Sequence, residues 1–300
     1  MKFIALLLAV LIERGSTSLF HLGELRWLDR YFDIGLRAVR RVGGWPGAIV
    51  ALFFVALPVL PVAWVAVAFE DVLWGAAYIS FAVIVLLFSL GPRDLASEVD
   101  DFVDATTRGD LQRARHVARE LLETEPPQER SRRTLAIEEA VFVQSSNRTF
   151  SVILWFAFFG PAGAWLFRVT DLMRRRAFFE AERARERGDK CGQDLESVQR
   201  LHGALAWLPA RLVALTFALA GSFEPAVADW RDYYHDCSER FFDVNDDIVA
   251  CAGLGALGAP PDGEEPVEVR GARAAMGLVR RSEVVWLVAI AVLTAVGALV

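Results

Sequence analysis

Four stretches of the chain carry no Asp, Glu, Lys or Arg: Trp45–Phe69, Val72–Leu90, Thr149–Phe167 and Val284–Val300. Each approaches the roughly 20 residues that a helix rising 1.5 Å per residue needs to cross a hydrocarbon layer about 30 Å thick. The pattern predicts spanning helices and excludes a wholly water-soluble chain. Glu70 and Asp71 alone separate the first two stretches, so these form a helical hairpin. Pro58 and Pro61 fall inside its first helix, where each removes a backbone donor and a kink is expected. In the third stretch Gly160-Pro161 sits mid-segment, and two readings stand, a broken re-entrant helix or a plain span. A further apolar stretch, Leu201–Phe223, is interrupted by His202 and Arg211, and whether it spans or re-enters is likewise open.

Elsewhere the apolar positions recur at helical spacing. Phe3–Ile12 is a short apolar helix with no small-x-small cleavage site behind it, too short to cross unless tilted. In residues 13–44, Arg26, Arg30, Arg37, Arg40 and Arg41 alternate with Trp27, Leu28, Tyr31, Phe32, Leu36 and Val39, which predicts an amphipathic helix on the membrane surface. Leu95, Val99, Phe102 and Val103 form one stripe, and Leu111, Ala114, Val117, Ala118 and Leu121 a second. Gly109 is the break between them and Asp110 the N-cap. Residues 224–252 read as polar helices and 253–271 as a Gly/Pro loop. The fold class expected is all-α, a polytopic integral membrane protein with amphipathic and cytoplasmic helices. Its segments are 1–44 (N-terminal and interfacial helices), 45–90 (spanning hairpin), 91–148 (cytoplasmic helices), 149–223 (central membrane region), 224–283 (cytoplasmic helices and loop) and 284–300 (last span).

Charge adds orientation. The 300 residues hold 32 basic and 38 acidic side chains, with a net charge of -6. Basic residues flank the hairpin on both sides while its tip is acidic, so the positive-inside rule places both flanks in the cytoplasm. Arg270, Arg273, Arg280 and Arg281 hold the near end of the last span inside and put Val300 on the far side. An arginine at position 211, mid-helix, costs about 2.5–3.5 kcal/mol on insertion scales, so it needs a partner, water or an interface.

Motifs for common chemistries are absent. There is no GxxxxGK[ST], HExxH or GxSxG. The three cysteines form no CxxC pair, and the histidines have no ligand spacing, so no metal site is expected. Asp243, Asn245 and Asp247 begin an EF-hand pattern that fails at Ile248 and Leu254. Asn147-Arg148-Thr149 is a formal glycosylation sequon and reads as chance.

Three segments carry a family resemblance. Gly91-Pro92-Arg93-Asp94-Leu95 with Gly109-Asp110-Leu111 and Ala114-Arg115, then Glu139, Trp155-Phe156, Gly160–Ala164 and Phe167-Arg168, and finally Trp207–Leu212 (WLPARL), resemble in order and spacing the CobD/CbiB family. Those are membrane synthases that attach an aminopropanol phosphate arm to cobyric acid with ATP and Mg²⁺. Where that family has a Glu-Asn pair and then an Asp, this chain has Val143, Gln144 and Asn147, and it has Asp171-Leu172-Met173-Arg174 in place of Asn-Thr-Leu-Asp and His202-Gly203 in place of Asp-Asp. Mg²⁺ takes oxygen ligands in an octahedron, and such a loss of carboxylates argues against ATP-dependent synthesis.

The pattern is instead similar to the sibling AmpE family, regulatory signalling modulators of the bacterial inner membrane linked to β-lactamase induction and cell-wall recycling. That resemblance implies a multi-pass inner-membrane modulator with no cofactor, no metal and no catalytic residue. It implies ligand-contacting roles for Arg93, Asp94, Asp110, Glu139, Arg168 and Arg211. The partners implied are the lipid bilayer, a small-molecule or cell-wall-fragment ligand and a membrane protein, and no nucleic acid. The alternative it leaves is a CbiB-type membrane enzyme acting on a nucleotide or cell-wall-derived substrate.

Overall fold

The structure is a computed structural model that describes residues 2–15, 27–70, 72–90, 95–187, 193–224, 244–258 and 264–297. The described residues are helical throughout and contain no strand. In order the helices are α1 (Lys2–Gly15), α2 (Trp27–Val42), α3 (Gly44–Ala68), α4 (Ala76–Leu90), α5 (Leu95–Thr107), α6 (Leu111–Leu122), α7 (Arg130–Ser145), α8 (Ser151–Glu186), α9 (Gln193–Ala220), α10 (Asn245–Leu257) and α11 (Val267–Ala295). A short π-turn, Ser146–Phe150, joins α7 to α8.

Four helical runs are long and apolar enough to cross a membrane: Gly44–Ala68, Ala76–Thr107, Arg130–Arg185 and Leu195–Ala220. The third contains the charge-free stretch Thr149–Phe167. The predicted last span is not among the four, its charge-free described part, Val284–Ala295, being shorter than the roughly 20 residues a crossing needs. The polar helices expected over 224–252 fall largely outside the described residues.

Packing divides the chain into two units, each discontinuous in sequence. The first comprises Met1–Pro92, Ser151–Trp207 and Leu293–Val300, and the second Arg93–Phe150 and Leu208–Val292.

In the first unit, α1 packs on α4 through Ala5, Leu6 and Ala9. The amphipathic helix α2 forms where its pattern predicts, but its apolar stripe faces protein rather than bilayer. Leu28, Phe32, Leu36 and Val39 enter a core with Val55 of α3 and Val169 and Met173 of α8. The helix runs back along the first half of α3, with Tyr31 reaching Phe54 and Gly35 under the Phe54 ring.

Two of the prolines inside helices, Pro58 and Pro209, are compensated by aromatic donors. Pro58 lacks the N–H that would bond the carbonyl four residues back, at Phe54, and the Tyr31 hydroxyl donates to that carbonyl at 2.6 Å. Pro209 likewise releases the carbonyl of Leu205, and the Trp155 indole Nε1 donates to it at 3.1 Å. Both prolines therefore sit inside continuous helices, their orphaned acceptors re-satisfied from a neighbouring helix, as hydrocarbon surroundings require. At Gly160 the chain does break: φ 62, ψ -149 is non-helical, and a Cβ there would lie 2.9 Å from the Tyr78 hydroxyl. The central segment thus departs from helical geometry at Gly160, and only glycine adopts that backbone without strain.

In the second unit the N-cap reading of Asp110 holds, its Oδ1 accepting from the Arg113 N–H at 3.0 Å. The Gly/Pro loop begins later than the composition suggests. α10 continues to Leu257, and Gly253 is in helix because the Phe142 ring lies where a Cβ would be, 2.4 Å away. Gly271 is helical for the same kind of reason, its Cβ position lying 1.9 Å from Glu138 Oε1. These glycines permit close packing rather than a loop.

Candidate functional site

Polar side chains gather around one buried acid in the first unit and form several pairs in the second. In the first unit the centre is Asp171 of α8, which is wholly buried. Residues three and four apart on a helix share a face, and the run 168, 171, 174, 175 uses that spacing. Arg174 Nη2 donates to Asp171 Oδ1 at 2.9 Å, Arg175 Nε to Oδ2 at 2.8 Å, and Arg168 Nη1 to Oδ2 at 3.5 Å. His202, buried on α9, brings its Nε2 within 3.8 Å of Asp171 Oδ1 and stacks obliquely on Phe167. One turn along, Arg176 grips Asp33 of α2 with two bonds, 2.8 and 3.0 Å. A buried carboxylate is tolerated only when paired and hydrogen-bonded, and here three guanidiniums meet that condition.

In the second unit the polar groups come from α5, α7, the π-turn, α9, α10 and α11. Arg148 donates to both oxygens of Glu98 at 2.9 Å. Arg133 bonds Glu268 at 2.6 Å. The Asn147 amide donates to Asp246 at 3.1 Å, and Arg211 donates to the Asn245 side-chain oxygen. Glu138 is nine-tenths buried against Gly271. Both Glu138 and Glu139 lie on α7, ahead of the charge-free stretch. Burial, reinforced by Glu139 beside it, pushes the Glu138 carboxyl above the ordinary carboxylate range, and burial together with Asp247 does the same to Glu139.

Of the residues the sequence singled out, Arg93 and Asp94 lie outside the described residues. Asp110 is an exposed helix cap. Glu139 and Arg211 lie in the second unit, and Arg168 in the Asp171 cluster of the first. Arg168 meets the buried acid Asp171, and Arg211 donates to the Asn245 side-chain oxygen. Asp171, Arg174, Arg175 and His202 were not singled out as a site, although the 168/171/174/175 spacing was a readable signal. Asn245 and Asp247 belong to the EF-hand-like run that fails at Ile248 and Leu254, and Asp246 lies between them. Asn147 of the sequon is buried and engaged with Asp246, which suits its reading as chance.

The residues do not fit the Mg²⁺ chemistry of the synthases. Gln144 donates its amide to the Leu121 carbonyl (3.3 Å) and Glu123 (3.0 Å), and Asn147, which stands where the synthases have an Asp, acts as a donor to Asp246. Asp171 is enclosed by arginines. Among the described residues no group of three or more His, Cys, Asp or Glu could hold a metal ion.

Helices of spanning length around buried ion pairs define an integral membrane protein. Residues 1–300 match the family described as regulatory signalling modulator protein AmpE, and the chain belongs to that family. It is also similar to the cobalamin biosynthesis protein CobD of Chromobacterium violaceum, 30% identical over 181 residues, 59% of this chain and 53% of that protein. A second relative is the cobalamin biosynthesis protein CobD of Stutzerimonas stutzeri, 26% identical over 217 residues, 72% of this chain and 66% of that protein. The matches thus span about half to two thirds of the length of these curated relatives. No solved structure matches the chain.

Proposed function

We propose that this protein is a non-enzymatic signalling modulator of the bacterial inner membrane, acting in cell-wall recycling and β-lactamase induction through a small-molecule or cell-wall-fragment ligand. The observation that carries the reading is the state of Asp171. It lies in the segment where the synthases hold a motif acid, and its two oxygens are taken up by three arginines. A carboxylate so enclosed organises cations and has no lone pair directed at a hydrated Mg²⁺. The family membership supports the regulatory role.

The second reading, a CbiB-type enzyme acting on a nucleotide or cell-wall-derived substrate, is favoured by the CobD relatives. Two measurements separate them. Purified protein should show no Mg²⁺-dependent ATP turnover above a detergent blank, while deletion of the gene should alter β-lactamase induction under β-lactam stress. Stoichiometric amide formation by the purified protein would overturn the modulator reading. Mass spectrometry of what copurifies in gentle detergent would name the ligand.

A further inference from the structure

Pro161 stands apart from Pro58 and Pro209. It too lacks the N–H that would bond the carbonyl four residues back, here that of buried Ala157. No side chain among the described residues donates to that carbonyl. An aromatic hydroxyl is close by nonetheless. Tyr78 of α4, only 8% exposed, aims its hydroxyl at Gly160, 2.9 Å from where a Cβ would lie. That hydroxyl makes no hydrogen bond with any described residue, although buried polar groups nearly always have a partner.

The backbone here bends back on itself. A Cβ on Gly163 would collide with the carbonyl of Trp155, eight residues earlier and about 12 Å away along a straight helix. Trp155 and Phe167, about 18 Å apart on such a helix, reach Leu205 and His202, which lie less than one turn apart on α9. The central helix is therefore two limbs, 151–159 and 161–186, that meet at Gly160. The last carbonyls of one limb and the first amides of the next are the groups that helix ends leave unsatisfied. Opposite helix ends brought together cancel as dipoles, so the junction selects neither sign of ion. Glu70 is close enough to act on Tyr78 and disfavours an anion. What fits is a neutral group that both donates and accepts, an alcohol or an amide.

We propose that the junction at Gly160 is a binding site for a neutral saccharide, with the Tyr78 hydroxyl donating to a ligand oxygen and the Ala157 carbonyl accepting from a ligand O–H or N–H. The alcohol and acetamido groups of an N-acetylated sugar supply both functions. The proposal rests on the modulator reading and gives its ligand a chemical class and a place. Glu70 belongs to the acidic loop that the positive-inside tendency turns away from the cytoplasm, so the junction lies toward that end of the hairpin.

The test is thermal unfolding in phosphatidylcholine nanodiscs, free of glycoside detergent, titrated with N-acetylglucosamine, with glucuronic acid, and with glycerol to gauge the general stabilisation that polyols give. Wild type is expected to show a saturable upward shift with N-acetylglucosamine alone. Tyr78→Phe should be as stable as wild type without ligand, since no protein group loses a bond, and should bind the sugar about tenfold more weakly. Tyr31→Phe, which loses a bond within the protein, should be less stable yet keep the shift. No saturable shift in wild type, an equal shift with glucuronic acid, or a Tyr78→Phe variant that keeps the full shift would each overturn the proposal. So would a ligand-free Tyr78→Phe destabilised as much as Tyr31→Phe, because the hydroxyl would then be bonded within the fold. The modulator reading fails by a different result, unchanged β-lactamase induction on deletion of the gene, and sugar binding by the purified protein is measured independently of it.

Discussion

A buried charge is held by its partners, and Asp171 shows the consequence most sharply. Removing it leaves Arg168, Arg174 and Arg175 facing one another around a buried position, and breaking a buried pair typically costs about 3–5 kcal/mol. Asp171→Ala is therefore expected to lower the folded yield in detergent, measured by size-exclusion chromatography, far more than Asp110→Ala. The latter loses only a cap, typically about 1 kcal/mol. Equal yields would mean that water or lipid phosphate replaces the carboxylate. Glu138 makes the opposite point. Its carboxyl is held above its ordinary value by burial and by Glu139, so the protonated form is the one the fold prefers. The stability linked to it is fully present below the ordinary carboxylate pKa and is lost as pH rises through the raised value. Glu138→Gln, nearly isosteric against Gly271, should raise the unfolding temperature at about pH 8 and change it little at about pH 4. A variant less stable than wild type at both would show that the carboxylate is charged and paired.

At the scale of helices, much of the architecture is legible because hydrocarbon imposes one rule, that backbone groups be satisfied within helices. The charge-free stretches, the stripes of α5 and α6, the Asp110 cap and the break at Gly160 all follow from local pattern. What local pattern does not contain is which helix faces which. The apolar stripe of α2 reads equally well as a lipid face or a protein face, and Gly253 and Gly271 read as loop residues until the Phe142 ring and Glu138 are seen to occupy their missing Cβ positions. The prolines are a further case. Pro58 predicts a lost donor, but the compensation lies at Tyr31, 23 residues from Phe54, and for Pro209 it lies at Trp155, 50 residues from Leu205. Leaving a buried carbonyl unsatisfied costs about 1–3 kcal/mol. Tyr31→Phe and Trp155→Phe should each destabilise by that amount, and Pro58→Ala should rescue Tyr31→Phe because it restores the N–H that the hydroxyl replaces. Thermal unfolding of the single and double variants measures this directly, and additive losses would show that the hydroxyl does not substitute for the missing donor.

For the whole molecule the open quantity is how often the chain crosses the bilayer. Basic residues flank the central segment Thr149–Phe167 on both sides, and a straight crossing would carry one set across the membrane against the positive-inside tendency. The structure sharpens this, since the basic set that follows is not a loose loop. Arg168, Arg174 and Arg175 are bound to buried Asp171 and Arg176 to Asp33, so these charges are part of the first unit's fold. They are also on the same unit as α2, whose arginines precede the hairpin and should be cytoplasmic. With Gly160 departing from helical geometry, the economical arrangement is a central helix that enters and returns, keeping both basic sets on one side. A reporter active only in the cytoplasm, fused within residues 95–140, is expected to be active. Fused after Arg187 it should be active as well, and fused after Val300 it should be silent. A silent fusion after Arg187, paired with an active one in 95–140, would make the central helix a full crossing and place the Asp171 cluster toward the periplasmic side, where a cell-wall fragment could reach it without entering the cytoplasm.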